Sequence, residues 1–167
     1  MKTPFFIYFI FVGLTLLVGC SKKNDDPQSS SSPGSGTIKL SQNGQVVTQF
    51  ETTNAVGAGG NGYEVVVTSP DSKHSLVLSL QGNTAGTYPF ITGSQPLTAG
   101  KANFMYQSNA LPSVYTGTDG LLIPSTGEVV VKTITPTRCS GTFSGTGKNE
   151  QDGKTYTLEG TFDAAIF

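Results

Sequence analysis

Beyond residue 36, apolar and polar residues alternate along the chain with a period of two, the spacing of a half-buried strand. Residues 75–80 place Leu76, Leu78 and Leu80 on one face, and residues 101–107 do the same with Ala102, Phe104 and Tyr106. Near the end, Tyr156, Leu158, Phe162, Ala164 and Ile166 share one parity, while Glu159, Thr161 and Asp163 take the other. One face of that strand is expected to be buried and the other wet. The same reading predicts strands over residues 37–41, 45–51, 63–68, 86–90, 128–135 and 138–145, and a short one over 114–116. Asn43-Gly44 predicts a tight hairpin between the first two, because both residues tolerate positive φ. Residues 56–62, Val-Gly-Ala-Gly-Gly-Asn-Gly, are expected to form a mobile loop. Residues 120–126, which end their apolar run at Pro124, are expected to be a second loop. No segment repeats at 3.6 residues. The expectation is an all-β domain over residues 37–167, an antiparallel β-sandwich with a small β-barrel as the alternative.

The N-terminus follows a different pattern. Lys2 supplies one positive charge, and residues 5–18 then run almost wholly apolar, FFIYFIFVGLTLLV. A membrane-spanning helix needs about 20 residues, and a shorter run suits the core of a signal peptide. Leu17-Val18-Gly19-Cys20 follows at once and resembles a lipobox, which implies cleavage before Cys20 and a diacylglyceryl group on its thiol. Each buried methylene contributes ~0.8 kcal/mol, so two or three acyl chains hold a protein stably where one does not. Residues 1–19 are thus expected to be a lipoprotein signal peptide. Residues 20–36 carry the lipidated cysteine and a Ser/Pro/Gly linker with no large apolar side chain, a coil spanning roughly 20–24 Å. Lys22-Lys23-Asn24-Asp25-Asp26 resembles the lysine-plus-acid signal that sends Bacteroidota lipoproteins to the outer face of the outer membrane. A periplasm-facing location is the alternative.

Composition narrows the classes of function. Charged residues make up 13% of the chain and the formal net charge is −1, with no basic block. A nucleic-acid partner would need a concentrated positive footprint, so none is expected. Cys20 and Cys139 are the only cysteines, and lipidation of Cys20 leaves Cys139 without a disulfide partner. The domain must then be held by its core, with Cys139 as a small buried hydrophobe.

A family resemblance rests on Gly127-Glu128-Val129-Val130-Val131, Ser140-Gly141-Thr142-Phe143-Ser144 and Glu159-Gly160-Thr161-Phe162-Asp163, with Gly86-Thr87-Tyr88 earlier. These elements resemble a family of small Bacteroidota lipoproteins known only as a domain of unknown function. The second element continues into Gly145-Thr146-Gly147, where an apolar residue is expected. The resemblance implies an all-β, lipid-anchored module and carries over no catalytic residue.

Chemistry is sparse along the chain. His74 is the one imidazole and stands at a turn, where a solvated surface role is expected in place of a general base. Zinc needs several Cys and His ligands, which the sequence does not supply, and no metal or cofactor is expected. Asn149-Glu150-Gln151-Asp152-Gly153 is read as a polar turn and not as a calcium loop. Tyr88, Tyr106 and Tyr115 are the rings best suited to touch a ligand. The expected function is a lipid-anchored envelope lipoprotein acting as a non-enzymatic binding or structural module. A small-ligand binder for an apolar or glycan ligand is the alternative, and a carboxylate-dependent hydrolase comes third.

Overall fold

A computed structural model describes residues 32–92, 95–108, 122–149 and 152–167. Ten strands form there: β1 (Ser35–Gln42), β2 (Gln45–Thr52), β3 (Ala55–Gly59), β4 (Tyr63–Thr68), β5 (His74–Leu80), β6 (Gly86–Pro89), β7 (Ala102–Ser108), β8 (Leu122–Thr135), β9 (Arg138–Asn149) and β10 (Thr155–Ile166). The all-β expectation holds, and of its two forms the barrel is the one adopted. Seven strands close a ring in the order β10-β3-β4-β5-β7-β8-β9 and back to β10. Two stacked sheets would leave free edges, whereas here the long strands β8, β9 and β10 coil far enough to meet their neighbours on both sides. All pairings between named strands are antiparallel except β3 with β10.

Two departures from the predicted elements have local causes. The glycine-rich run read as a loop forms β3, running parallel to the end of β10 through Val56 opposite Ala165 and Gly57 opposite Ile166. A Cβ on Gly57 would stand 2.6 Å from the Glu64 carbonyl oxygen and 2.7 Å from Ile166 Cδ1, so glycine is what lets three strands crowd together here. The described part of the second expected loop, from Leu122 on, is continuous with β8. Pro124 cannot donate to the ladder, and the register slips between Pro124 and Thr126 so that the strand continues past it. The first strand, β1, also starts two residues earlier than composition suggests. Ser35 pairs with Asp163 and Gly36 with Phe162, and a Cβ on Gly36 would stand 2.9 Å from Val67 Cγ1.

Apart from β3, the inner parity of the ring strands is mostly buried, as the alternation predicts. Val65 and Val67 of β4, Leu76 and Leu78 of β5, Tyr106 of β7, Leu122 of β8 and Cys139 of β9 are all fully inaccessible to solvent. From β10, Tyr156, Leu158, Phe162 and Ala164 join the same cluster. The unexpected Gly145-Thr146-Gly147 run now has its reason. Both glycines face inward, and a Cβ on either would lie 3.0 Å from a ring carbon, Phe90 Cε2 for Gly145 and Phe104 Cζ for Gly147. Those two phenyl rings meet edge to face with centroids 5.0 Å apart. The apolar atoms missing from β9 are supplied from β7 and from the residue that follows β6.

Candidate functional site

The barrel wall branches at β10, and the branch makes an open concave surface. One edge of β10 pairs with β1 from Thr157 to Asp163 and passes to β3 at Ala165 and Ile166. The β1–β2 hairpin therefore lies outside the ring, beside β10. An open groove of about 570 Å³ lies on the outer face of β2, β1, β10, β9 and β8.

Its floor follows from register. Thr37 stands opposite Thr161, Thr161 opposite Thr142, and Thr142 opposite Val130, a row crossing four strands. Two residues along each strand, Lys39, Glu159, Ser144 and Glu128 make a second row. Glu51 extends the first row onto β2 and Gln49 extends the second. The Thr37 and Thr161 hydroxyls are 3.0 Å apart, and the Thr161 backbone N–H donates to the Thr37 hydroxyl at 3.1 Å. Lys39 Nζ donates to Glu159 Oε1 at 2.7 Å. Glu51 and Glu128 have no ion-pair partner among the described residues. Three glutamates against one lysine leave the groove with an excess of two negative charges. The alternation in β10 already marked Glu159 and Thr161 as wet, but nothing in a single strand shows which other wet faces lie beside it.

The rings expected to touch a ligand lie elsewhere. Tyr88 is 4% exposed and Tyr106 is fully buried, so neither offers a face to solvent. The Tyr88 hydroxyl donates to the Thr84 carbonyl at 2.7 Å. Cys20 and Tyr115 lie outside the described residues, as does the strand expected over 114–116. Cys139 is core, as expected, and burial, with the nearby Asp163 charge adding to it, pushes its thiol up to about 11. A thiol so hard to ionise is a poor nucleophile.

His74 departs from its expected solvated place: it is 8% exposed. Its Nδ1 lies 2.8 Å from the Tyr106 hydroxyl, and its ring packs 5.7 Å from Phe50 of the β1–β2 hairpin. Burial holds the imidazole below its ordinary range, with the Asp71 charge opposing. Burial alone raises the Tyr106 phenol well above its usual value. Ser69, Asp71 and His74 are near neighbours, yet they do not form a catalytic relay. The Ser69 hydroxyl donates to Asp71 at 2.6 Å and accepts the His74 backbone N–H at 3.0 Å. The serine thus bonds the acid and the main chain, and the imidazole turns inward to the tyrosine; the arrangement closes the β4–β5 turn. At the β9–β10 turn, Asp152 accepts the Tyr156 hydroxyl at 2.6 Å and the Lys154 N–H at 2.8 Å, which fits the polar-turn reading. Among the described residues no three His, Cys, Asp or Glu side chains come together as a metal site.

The opposite wall differs in kind. Val56, Val66, Val77 and Met105 stand side by side on the outer face of β3, β4, β5 and β7. Val56 is 39% exposed and Met105 44%, so this row is apolar on the side where alternation calls for polar residues.

Comparison with known proteins matches residues 35–165 to the family model described as "Domain of unknown function (DUF6252)". That span covers most of the chain, and the chain belongs to this family. No curated protein and no solved structure matches.

Proposed function

We propose that this member of the DUF6252 family is a lipid-anchored protein of the cell envelope whose barrel is a non-enzymatic binding module, with the outer groove as its working surface. The anchor reading is supported by the short apolar run and the Leu17-Val18-Gly19-Cys20 tetrad. Lys22-Lys23-Asn24-Asp25-Asp26 supports an outer-membrane, surface-facing location. The binding reading is carried by one observation: side chains from every ring strand occupy the barrel interior, while the groove on its outer face is open and lined mostly by hydroxyl, amide and charged side chains. A ligand that enters a barrel mouth needs space the core already fills. A carboxylate acid–base pair needs one acid held protonated by apolar surroundings, and Glu51 and Glu128 are both exposed on a polar sheet face.

Two measurements test the two halves. Cys20→Ala should abolish incorporation of labelled palmitate and leave a larger precursor; undiminished labelling would refute the anchor. Envelopes from cells lacking the protein should bind the mature chain saturably, and Thr142→Lys, which sets a long cation on the groove floor, should remove that binding. Binding that survives Thr142→Lys in a variant with an unchanged melting point would remove the groove from its role.

A further inference from the structure

We infer that the groove takes a neutral, polyhydroxylated chain, a glycan, laid across the strands between Glu51 and Glu128. The inference rests on the groove being the binding surface and adds the chemistry of what fills it.

Four of the five floor strands, β1, β10, β9 and β8, are paired on both sides along the groove. β10 is paired to β1 on one side and to β9 on the other, and β9 is paired to β10 and β8. A polypeptide lying across these strands would find no main-chain partners for its own N–H and C=O groups, and the floor's open edge, that of β2, is on the side turned away from β1 and the rest of the floor. Recognition there falls to side chains alone.

Those side chains are of one kind. Thr37, Thr161, Thr142 and Ser144 carry hydroxyls that each donate and accept, and Gln49 carries an amide that does both. A sugar hydroxyl also donates and accepts, so each contact can be satisfied in either sense. Glu51 and Glu128 add acceptors at the two ends of the floor, and carboxylates accept two hydroxyl donors each. The excess negative charge turns away anionic chains. Val130 is the one outward-facing aliphatic side chain on the lining, too little for an apolar ligand.

Parts of the floor are held before any ligand arrives. The Thr37–Thr161 contact at 3.0 Å and the Lys39–Glu159 pair at 2.7 Å orient adjacent strands' side chains toward one another. From β2 to β8 there are four inter-strand steps of about 4.8 Å, or about 19 Å along the sheet, the reach of a short oligosaccharide.

The test is direct binding of the mature chain to three neutral polysaccharides, α-mannan, xylan and dextran, with heparin and poly-L-lysine as charged comparisons. Saturable binding to at least one neutral polymer is expected, insensitive to salt because no ion pair forms. Thr142→Lys should weaken it by about ten-fold or more, Thr142→Ser should retain it, and Met105→Ala on the opposite wall should leave it unchanged. Melting curves of all three variants separate lost binding from lost folding. No binding to any neutral polymer overturns the inference. If poly-L-lysine alone binds, loses affinity with salt and is blocked by Thr142→Lys, the ligand class is wrong while the groove keeps its role. If a neutral polymer binds equally well to wild type and Thr142→Lys, both the inference and the assignment of the groove fail.

Discussion

The two outer walls of the barrel share one inner pattern and differ in the central row of their outer faces. On β3, β4, β5 and β7 the central outward row reads Val56, Val66, Val77 and Met105; on β1, β10 and β9 the outward row reads Thr37, Thr161 and Thr142. Inside, both walls deliver apolar side chains to one cluster. Folding constrains the inner parity because a polar side chain there would be buried without partners. The outer parity is released from that constraint, so its composition is where the two walls can acquire different uses. The hydroxyl wall also gains a concave shape, because β10 gives part of its edge to the β1–β2 hairpin. The valine wall has no such branch within β4 and β5, each of which is paired along both edges by ring neighbours.

The strongest way to test this division is within one strand. Leu78→Ala should cost roughly 2–5 kcal/mol, since it empties a fully buried position, whereas Val77→Thr next to it should stay within about 0.5 kcal/mol. Chemical denaturation measures both, and comparable losses would show that the valine row is itself structural. A smaller effect is expected on the inner side of the hydroxyl wall. Gly145→Ala should cost roughly 1–3 kcal/mol, because its methyl would meet the Thr126 carbonyl and the Phe90 ring. A neutral result would mean that β9 can shift outward there, and the floor of the groove with it.

The third prediction concerns pH. His74 is held below its ordinary value of 6.5 in the folded chain, so the unfolded chain binds more protons between that lowered value and 6.5. The stability it contributes is complete above 6.5 and is lost as pH falls through the folded-state value. Thermal midpoints should therefore decline below pH 6.5, and His74→Gln should flatten that part of the profile; an unchanged slope would remove His74 as its source. Because His74 contacts both Tyr106 and Phe50, its protonation should loosen the hairpin that borders the groove along with the β4–β5 turn. The smallest effect belongs to the groove's own ion pair. Lys39 and Glu159 are each about two-fifths exposed, at 41% and 45%, so Lys39→Met should change stability by only about 0.2–1 kcal/mol, less at high salt. A larger loss by denaturation would assign the pair a packing role between β1 and β10.

Much of the strand content is legible in the sequence, and the exceptions have physical causes. Clean alternation in residues 75–80 and in the last strand names the buried faces correctly, and Cys139 is in the core as a small apolar residue without a disulfide partner is expected to be. β3 is not legible because Ala55–Gly59 has little side chain to show a period; it is a strand because β10 and β4 pair with it. The start of β8 is hidden because Pro124 signals a break, and only a register slip against β9 lets the strand run on. The sequence makes His74 look solvated because its neighbours along the chain are polar, while Tyr106 and Phe50, which pack against it, are 32 and 24 residues away.

The sequence by itself determined an all-β domain, the inner face of most strands, and the signals that point to an N-terminal lipid anchor. Each of these depends on residues close together along the chain, where a period of two or a short motif carries the physics. Only the tertiary structure decided that the sheet closes into a barrel, that β10 branches, and that threonines, glutamates and a lysine from five strands share one groove. Closure and branching depend on which backbone edges meet, and edges carry no side-chain signature. The groove exists because residues far apart in sequence, such as Glu51 and Glu128, are brought onto one face by hydrogen bonds between main chains.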